Sequence, residues 1–236
     1  MKVGRKLATK LLNATKFVLG FEAPSATAVP TDPVDIAMLS RLAATVREAT
    51  EAFETYDYAR ALERTEATFW WFCDDYVELV KGRAYGALGP SGAESAVSAM
   101  LRALSTLQRL LAPFMPFTTE TVWRWWQEGS IHRSSWPTVD ELGRLIDLNI
   151  VDHTLLDPIG EVLSQIRRAK TEAKTSQKTK VARALVTASP AALANFDFGR
   201  PDLTEAGSVL MWETIADTAA DSISVAVELA EPEPQS

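Results

Sequence analysis

The run Gly4-Arg5-Lys6-Leu7-Ala8-Thr9-Lys10-Leu11-Leu12-Asn13-Ala14-Thr15-Lys16-Phe17 carries two patterns at once. Wound at about 100° per residue, Leu7, Leu11, Ala14, Val18 and Phe21 form one stripe that faces a core. Lys6, Lys10, Asn13 and Phe17 form a second stripe, roughly a quarter turn away. A plain solvated helix face has no use for an aromatic ring among lysines and an amide. A surface that stacks an unpaired base, bonds its edge and neutralises its phosphates needs that set. The periodicity alone also admits Phe17 as the rim of the core.

Outward from this run, the chain reads as a helical protein. A Pro/Ala/Thr stretch at 23–31 follows as a loop. Asp32 and Pro33 open a second helix, with Asp35 in its first turn, running to about Tyr56. Asp57 caps a third helix, about Tyr58 to Tyr85. Gly86, Gly89 and Pro90 break the pattern, and Ser91 with Glu94 predicts a capping box for a fourth helix ending near Leu111. Pro113 and Pro116 enforce a turn before a short helix, Thr118 to Gln127. Long helices joined by short breaks imply antiparallel neighbours. The expected core is Leu7, Leu11, Val18, Leu39, Leu42, Val46, Phe53, Leu62, Phe69, Tyr76, Val80, Leu101, Leu104, Leu107, Leu111 and Val122.

The texture changes after about Asp140. Residues 155–176 predict a helix with Leu156, Ile159, Val162, Leu163 and Ile166 inward. A strand at 181–188, a short helix at 190–196 capped by Ser189, and strands at 208–212 and 223–229 complete the pattern. The fold class expected is mainly α: an antiparallel helical bundle with a small C-terminal α/β appendage. The expected divisions are 1–140 for the bundle, 141–230 for the appendage and 231–236 for a disordered Pro/Glu tail.

The 236-residue chain is 47% hydrophobic and 23% charged, ordinary globular material. Its single cysteine, Cys73, excludes an internal disulfide framework and a cysteine-rich zinc site. No segment reaches the ~20 apolar residues of a membrane span, and no signal peptide is evident. The expectation is a cytoplasmic protein with no membrane partner. The net charge of -7 argues against indiscriminate nucleic-acid binding. The basic residues are clustered, however: Lys2, Arg5, Lys6, Lys10 and Lys16 at the start, then Arg167, Arg168, Lys170, Lys174, Lys178, Lys180 and Arg183. Two basic patches on an acidic body suit one shaped polyanion. As solvated helix faces they need no ligand.

Catalytic signals are few. The two histidines, His132 and His153, lack partners at a useful spacing, and no glycine-rich phosphate loop matches a known template. Neither a catalytic nor a metal site is expected. Asp74, Asp75 and Glu78 crowd the third helix and read as a solvated face, except Glu78. It shares a stripe with Asp74, Val77 and Lys81, and either pairs with Lys81 on the surface or accepts from an exocyclic amine such as cytosine N4.

Longer motifs carry a resemblance. Phe72-Cys73-Asp74-Asp75-Tyr76-Val77-Glu78-Leu79-Val80-Lys81, Leu110-Leu111-Ala112-Pro113-Phe114-Met115-Pro116-Phe117-Thr118-Thr119-Glu120 with Trp123, Ser130-Ile131-His132, Ser135-Trp136-Pro137 and Ile166-Arg167-Arg168-Ala169-Lys170-Thr171-Glu172 occur in one order. That order resembles the anticodon-binding domain of class I aminoacyl-tRNA synthetases, and the Lys10–Phe17 and Phe72–Asp74 runs resemble its valyl-tRNA synthetase branch. The similarity spans about residues 3–230. The isoleucyl branch is the nearest alternative. A non-enzymatic all-helical interaction or regulatory module is the other; duplex DNA is disfavoured by the lack of a helix-turn-helix.

The resemblance implies a valine-specific tRNA as partner. It implies an anticodon site of Lys10, Asn13, Lys16 and Phe17 with Val77, Glu78 and Lys81. Phe17 would stack on splayed bases, and Val77 and Glu78 would shape a pocket for the third anticodon base, a cytosine. Lys6, Arg167, Arg168, Lys170 and Lys174 are further candidates for the tRNA backbone. The family's ATP-binding core and editing domain precede this bundle and are missing from the sequence, so an excised fragment is expected. ATP and the chemistry would belong to the parent enzyme, whose catalytic and editing domains are the remaining expected partners. Lys174-Thr175-Ser176-Gln177-Lys178 only loosely resembles the family's ATP loop and reads as an exposed basic turn.

Overall fold

The computed structural model describes residues 2–25, 27–143, 147–148 and 152–231. Of the tail expected at 231–236, all but Glu231 lies outside the described residues. The chain opens with α1 (Lys2–Val18) and α2 (Pro33–Glu54). Next come α3 (Tyr58–Trp71), a π-helical turn (Phe72–Tyr76) and α4 (Val77–Ala84). Then follow α5 (Gly89–Leu111), α6 (Pro116–Trp123) and α7 (Val139–Leu142). The C-terminal part holds α8 (Leu156–Glu172), β1 (Val181–Ala188), α9 (Pro190–Gly207), β2 (Trp212–Ala216) and β3 (Ser224–Leu229).

Local chemistry explains most boundaries. Asp32 accepts the Val34 N–H at the start of α2, and Asp57 accepts the Arg60 N–H at the start of α3. Gly86 and Gly89, at φ of 93° and 85°, make the left-handed break before α5. The capping box expected at Ser91 and Glu94 does not form. The helix begins at Gly89 without a side-chain cap, and Glu94 instead accepts the Ser25 N–H at 3.3 Å. The third helix is not continuous either: five residues, Phe72–Tyr76, adopt π geometry in its middle.

The appendage is a three-stranded sheet in the order β2-β1-β3. β1 pairs parallel with β2, with Ala184 opposite Trp212, and antiparallel with β3, with Val186 opposite Val225. The parallel pair requires a crossover, which α9 provides. Sequence reading stopped this helix at Phe196, yet it continues through Pro201 to Gly207. Proline removes one helical hydrogen bond, but buried Phe196 and Leu203 hold the helix on either side. The strand expected at 208–212 is displaced. Ser208 ends α9 in the left-handed region at φ 50°, and β2 starts only at Trp212.

One hydrophobic cluster runs from Leu7 through the bundle to Ile166, Val186 and Val209 in the appendage. Of the expected core, Phe53, Leu62 and Leu101 are half-buried and the rest are buried. Two parts of the chain are also joined by charge. Arg83, buried in α4, donates to both Asp35 oxygens at 2.6 and 2.8 Å. It also reaches Asp202 of α9, from Nε at 2.9 Å and from Nη2 at 3.0 Å. Tyr76 and Ser95 add hydroxyl donors to Asp35 at 2.7 and 2.6 Å. No described helix is long and apolar enough to cross a membrane.

Candidate nucleic-acid interface

The outer face of α1 lies along the π turn and α4. Lys10 Nζ donates to Asp74 Oδ1 at 2.5 Å, and seven residues on, Lys81 Nζ sits 5.5 Å from the Phe17 ring centroid. Both pairs keep the same sequence offset, so the two segments run side by side and parallel, and the contacts stand roughly 10 Å apart along the axis. Buried Leu7, Leu11 and Val18 fasten α1 to the core beneath. That leaves its polar stripe facing outward, as its spacing requires.

The structure brings Phe17, Glu78 and Lys81 together. Glu78 Oε1 stands 3.5 Å from Lys81 Nζ, with both side chains 43% exposed. Such an open pair is worth under about 1 kcal/mol and leaves the carboxylate available. Val77 is 6% exposed and belongs to the core, so it backs Glu78 from inside and offers little contact surface. Asn13 and Lys16 are exposed, as is Lys6 nearer the N-terminus. Lys16 Nζ lies over the Trp125 ring at 5.8 Å, and Lys10 Nζ lies 5.9 Å from the Trp70 ring. Each of these lysines rests on an aromatic face and keeps its charge at the surface. Partial burial works against the Lys10 charge, but the hydrogen bond and charge of Asp74 outweigh it and hold its pKa above the usual lysine value.

Sequence reasoning missed the rest of the aromatic platform. Phe21, assigned to the core stripe, is only half-buried. It meets Phe17 edge-on at 5.1 Å and Tyr85 at 4.9 Å. Tyr85 is 69% exposed. Phe21 and Tyr85 also line an open cleft of about 590 Å³ that continues past Glu22, Ser25, Pro90 and Glu94. No periodicity joins these residues, because Phe21 lies past the end of α1 and Tyr85 past the end of α4.

The second basic run is split. Arg167 donates to the Asp74 carbonyl at 3.3 Å, which brings the end of α8 to the π turn. Arg168 is exposed and bonds Glu172 at 2.8 Å. Lys174, at φ 55°, sits in the exposed turn expected there. Lys170 corrects the expectation. It is 1% exposed, and its ammonium donates to the Gln177 and Gly207 carbonyls at 2.9 and 2.8 Å. Burial lowers its pKa. It ties α8 to the turn after it and cannot reach a phosphate. Among the described residues, no three His, Cys, Asp or Glu side chains gather as a metal site requires.

Comparisons with known proteins fit this geometry. The profile described as the anticodon-binding domain of tRNA ligase matches residues 35–186, more than half of the chain. A valine–tRNA ligase of Thermobifida fusca is 48% identical over 238 residues, covering 99% of this chain and 26% of the relative. One from Salinispora arenicola is 46% identical over 226 residues, covering 89% of this chain and 26% of the relative. One from Bifidobacterium longum is 38% identical over 261 residues, covering 98% and 28%. The chain thus spans about a quarter of the length of the curated relatives it matches.

Proposed function

The chain belongs to the anticodon-binding domain family of tRNA ligases, and from that premise we propose that it reads the anticodon of a valine tRNA. The observation that carries the reading is the juxtaposition of α1 and α4. It sets an aromatic ring, a carboxylate and two lysines, Lys10 and Lys81, along one face, with Lys16 exposed further round α1 over Trp125. Phe17 stacks an unpaired anticodon base. Glu78 accepts from the exocyclic amine of a cytosine at the third anticodon position. Lys10, Lys16 and Lys81 neutralise the loop phosphates, and Arg167, Arg168 and Lys174 extend the positive track toward the stem. The chemistry lies in the longer enzyme, which joins valine to its tRNA in the cytoplasm using ATP. This part selects the tRNA for the catalytic and editing domains of the same protein.

Fluorescence anisotropy with three probes tests the reading: a valine anticodon stem-loop, an isoleucine stem-loop and duplex DNA, all at one salt concentration. The valine stem-loop should bind tightest. Lys10→Ala and Lys16→Ala should weaken binding to every stem-loop alike. Lys16→Ala should also flatten the salt dependence by a slope of about 0.7, the contribution of one phosphate contact on a single strand. Unchanged affinity in both variants, with an unchanged salt slope in Lys16→Ala, would reduce the stripe to a solvated face. A preference for the isoleucine stem-loop would reassign the specificity.

A further inference from the structure

The shortest ion pair on the candidate interface holds a lysine that the proposed function assigns to RNA. Lys10, the central lysine of the α1 stripe, is held by Asp74 at 2.5 Å. Asp74 reaches it from the π turn, a geometry that in helices is enriched at functional positions. The turn is pinned from several sides. Phe72 and Tyr76 are buried at its ends, and Tyr76 is bonded to Asp35. Arg167 holds the Asp74 carbonyl at 3.3 Å. On the turn's flank, Arg41 stacks over Trp71 at 4.3 Å. The Asp74 carboxylate is therefore presented to Lys10 by fixed backbone, while Trp70 stands 5.9 Å from the same ammonium.

We propose that Asp74 is a built-in stand-in for an RNA phosphate, a competitor that the RNA backbone has to displace from Lys10. The proposal rests on the anticodon-arm reading above. A loose polyanion offers Lys10 one charge in exchange for the one it gives up, with no net gain. A stem-loop whose bases also engage Phe17 and Glu78 brings its phosphate to Lys10 already positioned, and the exchange then proceeds. Asp74, released, takes up a solution cation. One counterion set free at the phosphate is thereby offset, and the salt dependence is shallower than the number of phosphate contacts would give. The acid thus lowers affinity and salt dependence together, in line with the negative net charge of the chain.

Asp74→Asn keeps the side-chain shape and removes the charge. Binding of the valine anticodon stem-loop and of oligouridylate is measured across a salt series for wild type, Lys10→Ala, Asp74→Asn and the double variant. Thermal melts of each variant confirm the fold, and Asp74→Ser serves as a second neutral variant if the asparagine unfolds. Asp74→Asn should tighten oligouridylate binding by about three- to fivefold, the scale of one open ion pair. It should tighten stem-loop binding by at least as much, because the stem-loop also has to break the pair in the wild type, and steepen the stem-loop salt slope by up to about 0.7. In the double variant the gain should vanish, because without Lys10 there is nothing to release. The same gain in the double variant would show a diffuse charge effect and overturn the proposal. So would no gain in Asp74→Asn while Lys10→Ala still weakens the stem-loop. If Lys10→Ala changes nothing, the anticodon-arm reading of this face fails, and the gate fails with it.

Discussion

Phe17 and Glu78 sit on different helices, and each was open to a bland reading from sequence. Phe17 is half-buried at the rim of the core, with Phe21 edge-on at 5.1 Å and the Lys81 ammonium 5.5 Å from its ring. Its loss should leave the core intact, because Leu7, Leu11 and Val18 hold α1 from the other side. Phe17→Ala should therefore cost about 1–3 kcal/mol of stem-loop binding, the worth of one base–aromatic stack, with a melting point close to wild type. A collapsed melt would return Phe17 to the core. Glu78→Gln should lower discrimination between cytosine and uracil at the third anticodon position by about 1–3 kcal/mol. Equal cytosine-to-uracil ratios in wild type and variant would leave Glu78 as a mere partner of Lys81. At this scale the sequence revealed which residues were unusual. It did not reveal their neighbours: Asp74 beside Lys10 and Tyr85 beside Phe21 each lie 64 residues further along the chain.

Elements were legible where one chemistry acts alone. Asp32, Asp57 and Ser189 cap as their positions suggest, and β1 occupies the predicted residues. Readings failed where a distant partner competed. Glu94 was drawn away from its helix by the Ser25 N–H, and α9 ran through Pro201 because packing outweighed one missing hydrogen bond. Gly199 shows the same principle from the packing side. A Cβ there would lie 2.6 Å from Ile159 Cδ1 of α8. Gly199→Ala gains about 1 kcal/mol in helix propensity but overpacks the α8–α9 contact by about 1–3 kcal/mol. Chemical denaturation should show a net loss of up to about 2 kcal/mol; a more stable variant would mean that α8 yields freely.

Across the whole molecule, the buried group Asp35–Arg83–Asp202 links α2, α4 and α9. Burial pushes the Asp202 carboxyl up to about 6, against the pull of the Arg83 guanidinium. A carboxyl whose folded pKa exceeds its unfolded value binds more protons when folded, so it stabilises at low pH. That contribution is lost as pH rises through the window from about 4 to 6. Urea denaturation of wild type and Asp202→Asn across this window should show wild-type stability declining relative to the variant as pH rises. Parallel curves would place the titration elsewhere.

The sequence by itself determined the helical class, most caps, the two-part texture and the stripe of Lys6, Lys10, Asn13 and Phe17, because each depends on spacing within one segment. Tertiary structure alone decided that Lys170 is buried, that Arg83 holds two acids from different helices, and that a π turn brings Asp74 to Lys10. Those outcomes depend on which segments meet. Burial and pairing of charge are properties of the contact, and a contact between segments far apart in the chain leaves no period in either one.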